Sequence, residues 1–152
     1  MSVKVTGRRD FKRSMKKLGS GFDSAVDDGV FLTAQEVRNY AVKSIREQSS
    51  GKSVRRSRQG GGTYAHIAAA AGEAPNTDTG KLIASIAAEK IGESNYEIGS
   101  GLPYAAHLEF GTKDGITLLA RPWLEPALRI NGENMISNIS EAVRIQLDKL
   151  TT

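Results

Sequence analysis

The chain has 152 residues, of which 39% are hydrophobic and 25% are charged, the size and composition of one ordinary globular domain. It contains no cysteine and two histidines, which excludes disulfide frameworks, thiol nucleophiles, cysteine-ligated zinc and iron–sulfur clusters. Residues 1–58 carry a formal charge of +8, whereas residues 59–152 carry −4. A basic half is typical of nucleic-acid binding, and an opposite-charge split also suits copies that meet in an oligomer.

Membrane segments are not expected. The longest uncharged stretch with an apolar run, residues 59–72, is too short and too rich in Gly and Ala for the roughly 20 apolar residues of a membrane helix. The basic beginning of the chain has no apolar run of a secretory signal behind it. We therefore expect a protein that stays in the cytoplasm where it is made.

The first third of the chain is predicted to be helical. Apolar residues recur at helical spacing over 11–18, and Gly19 and Gly21 follow, which predicts a short amphipathic helix that ends there. A second apolar stripe with the 3.6-residue period predicts a long helix over about 23–48 that tolerates Gly29.

Periodicity is lost over residues 49–78, which predicts a long flexible loop. Its first part, residues 49–62, combines Ser, Gly and basic residues without an apolar pattern. Such composition favours a mobile basic arm in the free subunit. We expect this arm to become ordered only against a partner.

Residues 79–119 predict a small antiparallel sheet, because short apolar runs alternate there with Gly, Asn and Pro. The elements predicted in this region are a strand over 83–91, a turn over 92–95, a strand over 96–100, one or two helical turns over 103–110 that Gly111 ends, and a strand over 116–119.

A C-terminal helix is predicted from residue 123 or 125 to residue 150 by apolar residues at helical spacing. Long helices in both halves of the chain around a small antiparallel sheet indicate a single α+β domain. Its predicted segments are helical residues 1–48, the flexible loop 49–78, the small sheet 79–119 and the C-terminal helix 123–150.

Motifs for catalysis or ligand binding are weak. The run Ser50-Gly51-Lys52-Ser53 ends like a phosphate-binding loop, but it lacks the first glycine and follows a helix instead of a strand. Gly99-Ser100-Gly101 begins a dinucleotide-type motif that Pro103 interrupts. His66 and His107 have no helical spacing to a second metal ligand, and no nucleophile elbow is present. We therefore predict no catalytic residue, no metal and no cofactor.

The basic tract of the arm could contact phosphates in a salt-dependent way. It has one aromatic residue nearby, Tyr64, and no recognition-helix pattern, which disfavours sequence-specific reading of a nucleic acid. Two alternatives therefore stay open beside a structural role: a small basic nucleic-acid-binding protein, and a small hydrolase whose triad the fold would assemble. The basic residues of the tract are Lys52, Arg55, Arg56 and Arg58.

Three blocks of sequence are specific when they are taken together in this order: GEAPNTDTGKL at 72–82, LPYAAHLEFGT at 102–112 and ARPWLEPAL at 120–128. Their order resembles that of the small tail-completion or head–tail joining (neck) proteins of long-tailed bacteriophages and prophages. The resemblance covers about residues 72–128, and the flanking helices fit that family in length and pattern.

This resemblance implies a virion structural protein without catalysis, localised to the neck or tail and assembled in the cytoplasm of the bacterial host. It implies a homo-oligomeric ring, a hexamer or dodecamer, between the capsid connector and the tail. The partners that it implies are neighbouring neck and tail proteins, such as a head-closure or connector protein and the tail terminator, with non-specific contact with packaged DNA as a further option.

The candidate interaction residues combine the basic tract with side chains of the three blocks. Tyr104, Phe110 and Trp123 are large enough to anchor either the core or a ring interface, and for Trp123 we favour the core. Glu109 and Arg121 are predicted to pair within or between subunits. We assign assembly mainly to the basic helix and arm of one copy, which would meet the acidic second half of its neighbour.

Overall fold

The chain folds into five α-helices and two small antiparallel sheets in a computed structural model that describes residues 8–47, 49–113 and 118–151. The predicted α+β class is confirmed, with two two-stranded sheets instead of one. The elements are α1 (Arg8–Arg46), β1 (Ser53–Ser57), β2 (Thr63–Ile67), α2 (Lys81–Ser85), β3 (Ile86–Gly92), β4 (Asn95–Ser100), α3 (Ala105–Phe110), α4 (Glu125–Asn131), a 3-10 turn (Gly132–Asn134) and α5 (Met135–Thr151).

One continuous helix of 39 residues, α1, replaces the two helices predicted in the first third of the chain. The predicted break at Gly19 and Gly21 is wrong. Glycine inside a helix costs about 0.5–1 kcal/mol relative to alanine, and packing against α5 offsets this cost. A Cβ atom at Gly21 would lie 2.6 Å from Nε2 of Gln146, so the missing side chain lets α5 approach.

The helices α1 and α5 approach each other closely at Gly29, where an added Cβ would lie 2.5 Å from Cα of Ile139. We expect Gly29→Ala to lower the free energy of unfolding by about 1–3 kcal/mol, because the α5 backbone would have to shift. Gly19→Ala is the matched control: nothing lies within 4 Å of an added Cβ there. This control should stabilise the protein by about 0.5–1 kcal/mol. Urea unfolding compares the two variants, and a stabilised Gly29→Ala protein would contradict the close approach.

Residues 49–78 contain a hairpin, so the prediction of a loop without secondary structure is wrong for β1 and β2. The two strands pair antiparallel, with Arg56 opposite Tyr64, and the turn contains three consecutive glycines at positive φ. The strands escaped prediction because β1 is built of Ser, Arg and one Val, without the apolar alternation that indicates a strand. Mobility of the basic arm stays a prediction.

The predicted hairpin of β3 and β4 is confirmed, but it begins later than expected because residues 81–85 form the short helix α2. The helical turns before Gly111 are also confirmed as α3, and Gly111 ends that helix at a φ of 77°. Of the predicted strand over 116–119, residues 116–117 lie outside the described residues, and 118–119 are not in a strand.

The predicted C-terminal helix is confirmed except for one interruption. It begins at Glu125, with Pro126 in its first turn. A backbone N–H at this position has no acceptor inside the helix, so a proline, which has no N–H, is tolerated there. The 3-10 turn at 132–134 separates α4 from α5.

The core lies where the second half of α1 meets α2, β3, α3 and α4. Along the middle of α1, α5 runs antiparallel: Asn138 donates a hydrogen bond to Thr33, and Gln146 lies beside Gly21. The residues of the central buried cluster are Val37, Ala41, Ile45, Leu82, Ile86, Ala105, Trp123 and Ala127.

Candidate interaction surface

The three sequence blocks meet in the structure. The N–H of Gly72 donates to the carbonyl of Ala120 at 2.9 Å, which joins the first block to the third. The N–H of Arg121 donates to the carbonyl of Leu108 at 2.7 Å, which joins the third block to the second. The three blocks therefore hold one another in place through backbone hydrogen bonds.

Glu109 of α3 is buried, 7% exposed, and its carboxylate lies beside the beginning of α4. Its oxygens accept hydrogen bonds from the backbone N–H groups of Trp123 (2.8 Å), Leu124 (3.0 Å) and Glu125 (2.8 Å). N–H groups at a helix start have no partner inside the helix, and the positive end of the helix dipole also favours a carboxylate. Glu109 thus fastens α3 to α4.

The predicted ion pair of Glu109 with Arg121 within one subunit is wrong. The guanidinium of Arg121 donates through Nε to the carbonyl of Ala69 at 3.0 Å, whereas Glu109 is occupied by backbone N–H groups. Two charged residues in neighbouring blocks suggested a pair, but each is used to hold the main chain of another segment. Pairing between subunits stays a prediction.

The three aromatic candidates differ in burial. Trp123 is 3% exposed and belongs to the central buried cluster, so the preferred core role is confirmed. Its indole Nε1 has no hydrogen-bond partner among the described residues. Tyr104 is 42% exposed and Phe110 is 78% exposed, so neither is a core anchor of the single subunit. Of the three, these two are available to a partner.

The basic residues are divided between the two faces of the β1–β2 hairpin. Arg56 and Arg58 share a face with Tyr64: Nε of Arg56 lies 3.8 Å from Oδ2 of Asp78, and Arg58 lies over the Tyr64 ring at 5.7 Å. Arg55 alternates to the other face, opposite Ala65. Lys52 directly precedes β1 and is exposed. The tract therefore does not form one continuous cationic face.

The first block anchors this hairpin through polar side chains. Asp78 accepts a hydrogen bond from Oη of Tyr64 and lies 3.9 Å from Nδ1 of His66, and the carboxylate raises the pKa of the Tyr64 phenol. Asn76 donates to the carbonyl of Ile67 at 2.8 Å and accepts from the N–H of Ser49 at 2.8 Å. Sequence reasoning missed these roles, although Asx residues next to turns are a signal for such contacts.

Glu73 holds the junction between α1 and the hairpin. Its carboxylate accepts hydrogen bonds from Oγ of Ser50 at 2.7 Å and from the N–H of Ser50 at 2.8 Å. These bonds favour the charged form and lower the pKa of Glu73. The first block thus holds residues that precede it in the sequence, namely the end of the α1 connection and the β1–β2 hairpin.

The β3–β4 hairpin is fastened to α1 by Asp27, another residue that sequence reasoning missed. Its carboxylate accepts hydrogen bonds from Nζ of Lys90 (2.6 Å), the N–H of Ser94 (3.1 Å) and Oη of Tyr96 (3.2 Å). The hydrogen bond from Lys90 is the main reason that the pKa of Asp27 is lowered. Farther along α1, Arg38 donates to the carbonyl of Ile86 at 3.0 Å.

Within the described ranges, no three His, Cys, Asp or Glu side chains are grouped so that they could hold a metal ion. Among the helices described, none combines the length and the apolar character needed to cross a bilayer. A hollow of about 330 Å³ separates the β1–β2 hairpin from Tyr104, with Asp78 and His66 in its wall.

Comparison with known proteins places most of the chain in a family. Residues 9–111 match the family model described as "HK97-gp10_like: Bacteriophage HK97-gp10, putative tail-component". No curated protein and no solved structure matches the chain significantly. The match spans about two thirds of the chain, from α1 through both hairpins to the end of α3. The chain therefore belongs to the HK97 gp10-like family of bacteriophage tail components.

Proposed function

We propose that this protein is a tail-completion or head–tail joining subunit, whose copies form a ring in the phage neck between the capsid connector and the tail. A tail component works in the virion in contact with other phage structural proteins. In this proposal the protein is not an enzyme, and it has no metal or cofactor. Its partners are copies of itself and the neighbouring proteins of the neck and tail.

The observation that carries the proposal is how the motif blocks use their side chains. Their buried members, Trp123 and Glu109, pack the core and hold backbone N–H groups. Their exposed members include Tyr104 and Phe110, large aromatic residues of the kind that anchor protein interfaces. A domain that fixes its own fold with its polar groups and exposes aromatic residues is suited to assembly.

Assembly with protein is favoured over nucleic-acid binding by the arrangement of the basic tract. Arg56 is held near Asp78 and Arg58 lies over Tyr64, so two of the four cations already have partners in the subunit. A groove that follows a phosphate backbone needs several cations on one surface.

The experiment is removal of this protein's coding sequence from a phage or prophage that carries it. We expect DNA-filled heads and separate tails that do not join, and joining should resume when the purified full chain is added. Mass spectrometry of purified wild-type particles should find the chain. Normal particles made without the protein, or its absence from wild-type particles, would overturn the proposal.

A further inference from the structure

One face of the β1–β2 hairpin has no polar side-chain contact with the described part of the subunit. This open basic face consists of five exposed residues, Ser53, Arg55 and Ser57 on β1 with Thr63 and Ala65 on β2, and of the half-buried Ile67 at its inner end. Within the part of the chain that the structure describes, none of its side chains makes a hydrogen bond or an ion pair. A two-stranded sheet has only marginal stability by itself, so packing of a partner on this face would stabilise the hairpin.

Charge makes the same hairpin one-sided. No acidic residue occurs from position 48 to position 72, while four basic residues do. Asp78 and Tyr64 lie against Arg56 and Arg58 on the opposite face, which leaves Arg55 as the cation of the open face. A partner for this face should therefore carry carboxylates.

The β3–β4 hairpin has an acidic face whose charge is opposite to that of the open basic face. Glu89 and Glu97 are directly opposite each other in the antiparallel register, with the small residues Ala87 and Gly99 as the next pair. This acidic face is turned away from α1, because the alternate residues Ile86 and Ile98 pack into the core. A hollow of about 320 Å³ lies over these four residues.

Glu89 and Glu97 destabilise the β3–β4 hairpin in the single subunit. Like charges directly opposite on paired strands destabilise a sheet, and neither Glu89 nor Glu97 has a hydrogen bond or ion pair with the described residues. A guanidinium between them would turn repulsion into attraction, since its planar donors can bind two carboxylates at once. Small neighbours leave room for a long side chain beside the pair.

We infer that the open basic face of one copy docks on the acidic face of the next copy, with Arg55 between Glu89 and Glu97. This inference rests on the proposed function, because it names the contact through which copies join. The two faces lie on different hairpins, so the contact is head-to-tail, the type that closes into a ring when the rotation per subunit allows. A second copy is the occupant to which the charge complementarity within this one chain points.

Cysteine cross-linking tests the contact, because the natural chain has no cysteine to interfere. Full-length Arg55→Cys and Glu97→Cys chains are mixed and oxidised, both free and incorporated in particles. We expect disulfide-linked dimers from the mixture, and a ladder of higher species when one chain carries both changes. Arg55→Cys mixed with Glu133→Cys, an exposed position in the 3-10 turn, is the control that should remain monomeric.

Charge exchange tests the energetics. We expect Arg55→Glu alone, and Glu89→Lys with Glu97→Lys, each to weaken self-association about 10-fold or more in sedimentation at low salt. Mixing the two variants should restore association, whereas each variant alone should still unfold like the wild-type chain. High salt should weaken the wild-type contact, because the Debye screening length falls to about 3 Å at 1 M ionic strength.

The inference and the proposed function fail in different ways. If deletion of the protein prevents joining, yet no cross-link forms in particles and the exchanged charges are harmless, the function stands and this contact is wrong. If the cross-link and the charge rescue occur but the chain is absent from particles, the contact stands and the function is wrong.

Discussion

Replacing Trp123 with alanine should lower the free energy of unfolding by about 3–5 kcal/mol, a large share of the roughly 5–15 kcal/mol that stabilises a typical domain. The indole is 3% exposed and touches the cluster that joins α1 to α3 and α4. Its removal leaves a cavity lined by side chains of several elements, which cannot all move inward together. Urea unfolding, followed by circular dichroism, measures the loss.

Phe110→Ala is the matched control for Trp123→Ala, because it removes an aromatic ring that is 78% exposed. Its effect on unfolding should stay within about 0.5 kcal/mol. Under the proposed function, the same change should instead weaken joining of heads to tails, since exposed aromatic residues are common interface anchors. Equal destabilisation by the two changes would contradict the different burial of the two rings.

The second large effect is expected at Glu109. Glu109→Ala should cost about 3 kcal/mol, because three backbone N–H groups at the beginning of α4 would lose their acceptor in a buried setting. Glu109→Gln should lower the free energy of unfolding by less. Its amide oxygen can still accept hydrogen bonds from these N–H groups, whereas its amide nitrogen cannot. Hydrogen exchange should show faster exchange of the N–H groups of residues 123–125 in both variants.

Glu125→Ala is the control for Glu109→Ala, because both residues are glutamates near the start of α4. The Glu125 side chain is 63% exposed and lies 3.8 Å from Arg129 in an exposed ion pair. Such a pair contributes about 0.3–0.5 kcal/mol, so its loss should be small. If Glu109→Ala were no more harmful than Glu125→Ala, the role of Glu109 in fastening α3 to α4 would be wrong.

Periodic apolar patterns predicted the long helices, because burial on one face leaves a regular trace in the sequence. Short apolar runs between turn residues predicted the β3–β4 hairpin, but not the helix α2 before it. The hairpin of β1 and β2 left no such trace, since neither strand contains a fully buried residue. The glycines of α1 were misleading for a related reason. Gly21 and Gly29 serve the approach of α5, and a local pattern does not show which distant helix will pack there.

The candidate residues were found by type, but their roles depend on distances that only the fold supplies. Trp123 and Phe110 are both aromatic residues in specific blocks, yet one is buried and the other is exposed. Glu109 and Arg121 have opposite charges, yet each bonds to main chain. Asp27 belongs to no motif, and its partners lie more than 60 residues away in the sequence.

The pairing of α1 with α5 has a consequence for synthesis on the ribosome. About 90 residues separate the end of α1 from the start of α5. At roughly 5–20 residues per second, α1 waits several seconds for the helix that covers its middle part. During that time its apolar stripe is exposed in the nascent chain, a state that attracts chaperones and competes with aggregation. Slow translation between the two helices should therefore lower the soluble yield.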